Sequence, residues 1–223
     1  MTFVGREAER GRLRAALQAG QGVVVAGRYG IGRTALVREV EAELGAKWRF
    51  VFVDFRETPA VVGARIADSI LVPPRKRSRG SATYRSIRAR LVRDRRLLGI
   101  PVVVVDDIGH LTSAKWELLR FLTGAPRLRI VAITESFLPD RDVARLRAVL
   151  YPSIRLELSH LPLPASLSYF ADASDRYALG WDAAHQRLLA TSRGGYPLEM
   201  ALAVAAARSA HEAVGSVPAG VRP

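Results

Sequence analysis

Apolar positions along this chain follow two alternating rhythms. Strands are predicted over 23–25, 49–54, 101–106, 129–134 and 153–158, most of them built on short, nearly unbroken apolar runs rich in β-branched or aromatic residues. Between them, apolar residues recur at spacings of three and four, the mark of a helix with one buried face. Leu13 and Leu17 place such a helix over 7–19. Ile66 and Ile70 place another over 61–71, ended by Pro73 and Pro74. Further helices are predicted over 33–44, 81–98, 113–123 and 140–150. Near-continuous apolar strands separated by helices predict a parallel sheet covered on both faces. The expected class is α/β, with five parallel strands.

From Pro164 onward the strand rhythm stops. Three helices are predicted over 165–178, 182–192 and 198–210, the last entered through Gly194-Gly195-Tyr196-Pro197. The tail contains Gly and Pro from Val214 on and is expected to be disordered. The division expected is a core over 1–162, a three-helix unit over 163–212 and a tail over 213–223, with no internal repeat.

Composition narrows the classes. Of 223 residues, 49% are hydrophobic, enough for a substantial core. No apolar run is long enough for a transmembrane helix, and no secretory leader is visible, so no membrane partner is expected. The chain has no cysteine, which excludes disulfides, thiol catalysis and cysteine-bound metal. A cytoplasmic location is the expectation. Four scattered histidines, His110 among them, offer no paired spacing for a transition metal. Trp48, Trp116 and Trp181 read as packing residues.

The net charge of +13 is concentrated: residues 75–96 hold ten basic side chains and one acid, Asp94. On the helix predicted over 81–98, Tyr84, Ile87, Leu91 and Leu98 form one stripe. Arg85, Arg88, Arg93, Arg95 and Arg96 lie opposite, with Arg90 between. Lysine occurs only at Lys47, Lys76 and Lys115, so the choice of arginine reflects a compositional bias; the clustering does not. Arg75, Lys76, Arg77, Arg79, Arg85, Arg88, Arg93 and Arg96 are the candidate contacts to a polyanion such as a DNA backbone. The plain alternative is a solvated helix that binds nothing.

Candidate chemistry centres on Gly27-Arg28-Tyr29-Gly30-Ile31-Gly32-Arg33-Thr34, between a strand and a helix. It fits the phosphate-loop pattern G-x-x-x-x-G-K-[ST], with Arg33 in the lysine position. Gly27, Gly30 and Gly32 let successive backbone N–H groups face a polyphosphate at the helix N-terminus. Thr34 is placed to ligate Mg²⁺, and the cation at Arg33 to face the β- and γ-phosphates. The expected phosphate-loop contacts to ATP or ADP are Gly27, Gly30, Ile31, Gly32, Arg33, Thr34 and Ala35. Four valines run into Asp106-Asp107 at a strand end, where a carboxylate completes the Mg²⁺ shell. Asp106 is the candidate ligand and Asp107 the group that polarises attacking water. At the exit of the next strand, Thr134 or Ser136 is either a partner of the γ-phosphate or an ordinary strand-end cap.

The chain resembles the AAA+ ATPases over about residues 3–210. FVGRE is similar to the family's N-terminal box, GRYGIGRT to Walker A and VVVVDD to Walker B; Thr134-Glu135-Ser136 occupies the sensor 1 position without the usual Asn. Ser192 to Leu198 is similar to the G-G-x-P-L opening of the last lid helix in the origin-recognition and STAND-like branches, which implies that Pro197 is a further ATP or ADP contact. The resemblance implies that Arg145 or Arg147 reaches a neighbouring subunit's nucleotide, and that the chain forms a homo-oligomeric ring or filament. The basic block between the second strand and Walker B looks like that of the transposition and helicase-loader regulators, the IstB, MuB and TniB kind. The leading expectation is an ATP-dependent regulator that oligomerises on duplex DNA without sequence preference and recruits a protein partner such as a transposase. A forked guanidinium at Arg33 is expected to bind phosphate but to follow phosphoryl transfer poorly, giving slow hydrolysis. The alternatives are a STAND-like switch acting on a protein partner and a non-hydrolysing structural subunit.

Overall fold

The computed structural model describes residues 3–71, 89, 97–125 and 127–215. Five strands, β1 (Gly22–Gly27), β2 (Trp48–Asp54), β3 (Ile100–Ile108), β4 (Arg129–Glu135) and β5 (Ser153–Glu157), form one parallel sheet in the order β2-β3-β4-β1-β5. The order explains the hydropathy of each run. Interior β1, β3 and β4 are covered on both faces and nearly continuously buried. Edge strand β5 buries only Leu156, and β2 keeps polar or half-buried positions. Interior strands need two apolar faces; edge strands need one.

Helices α1 (Glu7–Gln18), α2 (Arg33–Leu44), α3 (Pro59–Ile70), α4 (Ser113–Thr123) and α5 (Asp140–Val149) accompany these strands. Local signals set their ends. Pro59 occupies the first turn of α3, where a missing N–H costs nothing. The Thr112 side chain caps α4 by accepting from the N–H of Lys115. The core gathers Ile66 and Ile70 of α3, Leu118, Leu119 and Leu122 of α4, and strand residues such as Val103 and Val105. Each such side chain, fully buried, contributes about 1.5–3 kcal/mol against exposure.

The chain divides into two compact units. One comprises 8–29 and 33–158, and holds the sheet; the other comprises 1–7, 30–32 and the chain from Ser159 on. In the second unit, α6 (Leu163–Tyr177), α7 (Ala183–Ser192) and α8 (Pro197–Gly215) enclose Tyr169, Phe170, Ala190, Met200 and Val204. Asp182 caps α7 by accepting from the N–H of His185 at 2.7 Å. Burial pushes the Tyr169 phenol up to about 12. Gly195 admits no other residue: its φ is +70°, and a Cβ would lie 2.0 Å from the Leu161 carbonyl oxygen.

Two expectations need correction. Leu97 and Leu98, predicted as the last residues of a helix, are not helical: Leu97 forms an antiparallel bridge with Leu71 and the Leu98 N–H donates to the Ile70 carbonyl. Leu98 is 39% exposed rather than part of a buried stripe, and Leu97 packs on the core instead. At the other end, α8 continues through Val214 and Gly215, which were assigned to a disordered tail. Its alanine-rich sequence carries high helix propensity that outlasts the apolar stripe. Residues 216–223 lie outside the described residues.

Candidate phosphate-binding site

Thr34 and Arg33 are the first residues of α2, where helix N–H groups lack intrahelical partners and an anion is favoured. Their side chains part company at once. The Thr34 hydroxyl donates to Asp106 Oδ2 at 2.8 Å. The other Asp106 oxygen accepts the backbone N–H of Asp107 at 2.8 Å.

A slip in the sheet separates the two adjacent carboxylates. β3 and β4 pair in register through Val105 and Ala132, then shift so that Ile108 faces Thr134. Asp106 and Asp107 lie within this irregularity, and Asp107 takes a left-handed φ of +56°. Such a bulge re-aims side chains at a strand end. Asp107 consequently meets Arg56, whose Nη2 stands 3.3 Å from Asp107 Oδ2. Arg56 also donates to both oxygens of Asp54, and that side-chain hydrogen bonding holds the Asp54 carboxyl below the usual carboxylate range.

Thr34 and Asp106 are hard oxygen donors joined across two elements. They fit Mg²⁺, which binds one or two protein oxygens and keeps water and phosphate oxygens for the remainder. That ion would supply charge neutralisation at phosphate oxygens. Among the described residues, no cluster of three or more His, Cys, Asp or Glu forms a separate metal cage.

Arg33 behaves differently. It is buried, 7% exposed, and donates to the Thr134 carbonyl through Nη1 and to the Glu135 carboxylate through Nη2. The Thr134 side chain is fully buried, and its hydroxyl has no partner among the described residues. Sequence reasoning named Thr134 and Ser136 and passed over Glu135 between them. A signal existed: Glu135 is an acid at the exit of a buried strand, opposite in charge to the arginine in the lysine position of the phosphate loop.

The other expected residues are distributed as follows. Gly27 ends β1, and Ala35 is exposed in the first turn of α2. Gly30, Ile31 and Gly32 belong to the helical unit, where a Cβ on Gly30 would come within 2.7 Å of Leu198. The Arg6 guanidinium donates to the carbonyls of Ile31 and Ser159 in the same unit. Pro197 opens α8. Arg145 lies over the buried Trp116 ring, 4.3 Å from its centre, while Arg147 is exposed on the last turn of α5. Arg75, Lys76, Arg77, Arg79, Arg85, Arg88, Arg93 and Arg96 all lie outside the described residues.

The AAA ATPase domain matches residues 2–133, more than half of the chain and all of its Walker-like segments. The chain belongs to the AAA ATPase domain family. No curated protein matches it in sequence. Among solved structures, this AAA ATPase domain is similar to the Aeropyrum pernix ORC1 protein in complex with DNA (22% identity, TM-score 0.66). It is also similar to the Thermotoga maritima RuvB Holliday junction branch migration motor (19%, 0.67) and to Pyrobaculum aerophilum Cdc6p (17%, 0.67). The matches cover 100%, 96% and 96% of this chain, which spans 63%, 65% and 65% of those chains. At these identities the likeness concerns the fold, which is that of the AAA+ phosphate-loop NTPases. No helix among the described residues is long and apolar enough to cross a membrane.

Proposed function

We propose that this AAA ATPase domain binds ATP or ADP with Mg²⁺ and couples nucleotide occupancy to non-specific association with duplex DNA. The observation that carries the reading is the Thr34–Asp106 hydrogen bond at the N-terminus of α2. It joins the phosphate-loop hydroxyl and the Walker B carboxylate into a donor pair suited to a nucleotide-bound Mg²⁺. Asp107, held near Arg56, is the group to polarise attacking water. Arg145 or Arg147 serves a neighbouring subunit's nucleotide in a homo-oligomeric ring or filament.

The DNA arm rests on the sequence, through the ten basic residues of 75–96, and on the likeness to an ORC1 structure that contains DNA. Its finer form, recruitment of a partner such as a transposase, rests on the resemblance to the IstB, MuB and TniB kind. Engagement of Arg33 by Glu135 supports slow hydrolysis and also favours a second reading, a subunit that binds nucleotide without turnover.

Fluorescence anisotropy of labelled duplex DNA, titrated with protein without nucleotide, with ADP and with ATP at two salt concentrations, tests the proposal. Binding that requires nucleotide and weakens steeply with salt is expected. Absence of DNA binding at low salt in all three states would falsify the DNA arm and favour a switch acting on a protein partner.

A further inference from the structure

Arg33 stands where the phosphate-loop pattern has lysine, and Glu135 is its ion-pair partner. The phosphate-loop cation is the group that ordinarily meets the terminal phosphates of a bound nucleotide. Here its two terminal nitrogens already have acceptors, the Thr134 carbonyl on Nη1 and the Glu135 carboxylate on Nη2. These acceptors take the place that the oxygens of a terminal phosphate would otherwise occupy on a forked guanidinium. Both partners are well shielded, with side chains 8% and 13% exposed, so the ion pair is weakly screened.

We infer that Glu135 is a specificity-determining residue that makes this site prefer a nucleoside diphosphate over a triphosphate. A third phosphate must either displace the Glu135 carboxylate from Arg33 or lie beside it as a second anion. Displacement strands a carboxylate at a shielded position, and juxtaposition is repulsive at low dielectric. A diphosphate held by the N–H groups at the start of α2 and the Thr34–Asp106 pair meets neither penalty. Arginine suits position 33 in this arrangement, because its planar fork presents a separate nitrogen to the Thr134 carbonyl and to the Glu135 carboxylate. The inference rests on the nucleotide reading of this site, and adds to it which phosphate chain is bound.

Isothermal titration calorimetry of ADP and ATP, each with Mg²⁺, into the full chain and into E135Q and R33K/E135N provides the test, with thermal unfolding run on each protein. The expected result is about tenfold tighter binding of ADP than of ATP by the unmodified chain, about 1.4 kcal/mol. In both variants the preference should shrink or reverse. A merely structural role for Glu135 would lower stability and both affinities together, leaving their ratio unchanged. Equal affinities in the unmodified chain, or a ratio unmoved in the variants, overturn the inference and leave the nucleotide reading standing. Failure of both nucleotides to bind the unmodified chain overturns both.

Discussion

At the end of β3, Thr34 and Asp106 meet in one hydrogen bond, with Thr34 exposed and Asp106 half-buried; at the end of β4, the neighbouring Arg33 is buried in an ion pair with Glu135. Consecutive residues of one phosphate loop thus supply an open pair and a closed pair. The open pair keeps oxygen lone pairs for a cation and its phosphates. The closed pair spends its cation on the protein. A motif match counts both residues as ligands, whereas their partners separate a residue that can recruit a ligand from one that must first be released.

The largest effect expected from breaking this contrast is on stability. Arg33→Ala leaves Glu135 shielded and uncompensated, and urea unfolding should show a loss of about 3 kcal/mol. The double variant R33A/E135A should recover most of it, since the stranded charge is gone. If the single variant is as stable as the unmodified chain, the closed pair has no energetic reality. Thr34→Ala should behave in the opposite way. Its stability cost is about 1 kcal/mol, one hydrogen bond. Its larger signature lies in binding: Mg²⁺ should no longer strengthen nucleotide affinity, whereas an undiminished Mg²⁺ effect would remove Thr34 from the metal site.

Arg145→Ala gives a smaller change, about 0.5–1 kcal/mol from the lost contact over Trp116. A fall in ATPase rate well beyond that of a comparably destabilised variant would assign Arg145, rather than Arg147, to a neighbouring subunit's nucleotide. The smallest effect is that of Arg56→Ala, because Arg56 is exposed and solvent screens its ion pairs. The Asp54 carboxyl is depressed below its ordinary 3.8 by the Arg56 side chain. The stability this contributes is present above pH 3.8 and is lost as pH falls through the lower folded value. R56A should therefore be less stable than the unmodified chain above about pH 3.8, and the difference should shrink as acid titration passes below that pH. A difference of equal size at pH 5 and pH 3 would point to a cause other than Asp54.

Much of the sheet was legible because its signal is local. The valines of 23–25 and 102–105 cannot lie in a solvated loop, and their lack of alternation requires cover on both faces. The phosphate loop was legible for a similar reason: glycines at fixed offsets between a strand and a helix constrain the backbone directly. Helix ends were less so. Leu98 falls on an apolar stripe, but Leu97 beside it pairs with Leu71 as a β-bridge, a long-range contact that no local periodicity records.

The sequence by itself determined the parallel α/β plan, the loop with Arg33 and Thr34, and the two carboxylates of β3, because each depends on residues adjacent in the chain. The tertiary structure alone decided which acid answers which cation. Asp106 and Asp107 are neighbours in sequence, yet a register slip between β3 and β4 sends one to Thr34 and the other to Arg56. Arg33 and Glu135 are 102 residues apart, and become partners only because β1 and β4 lie side by side in the sheet. Charge pairing across that distance leaves no periodicity behind; it is set by strand order and register.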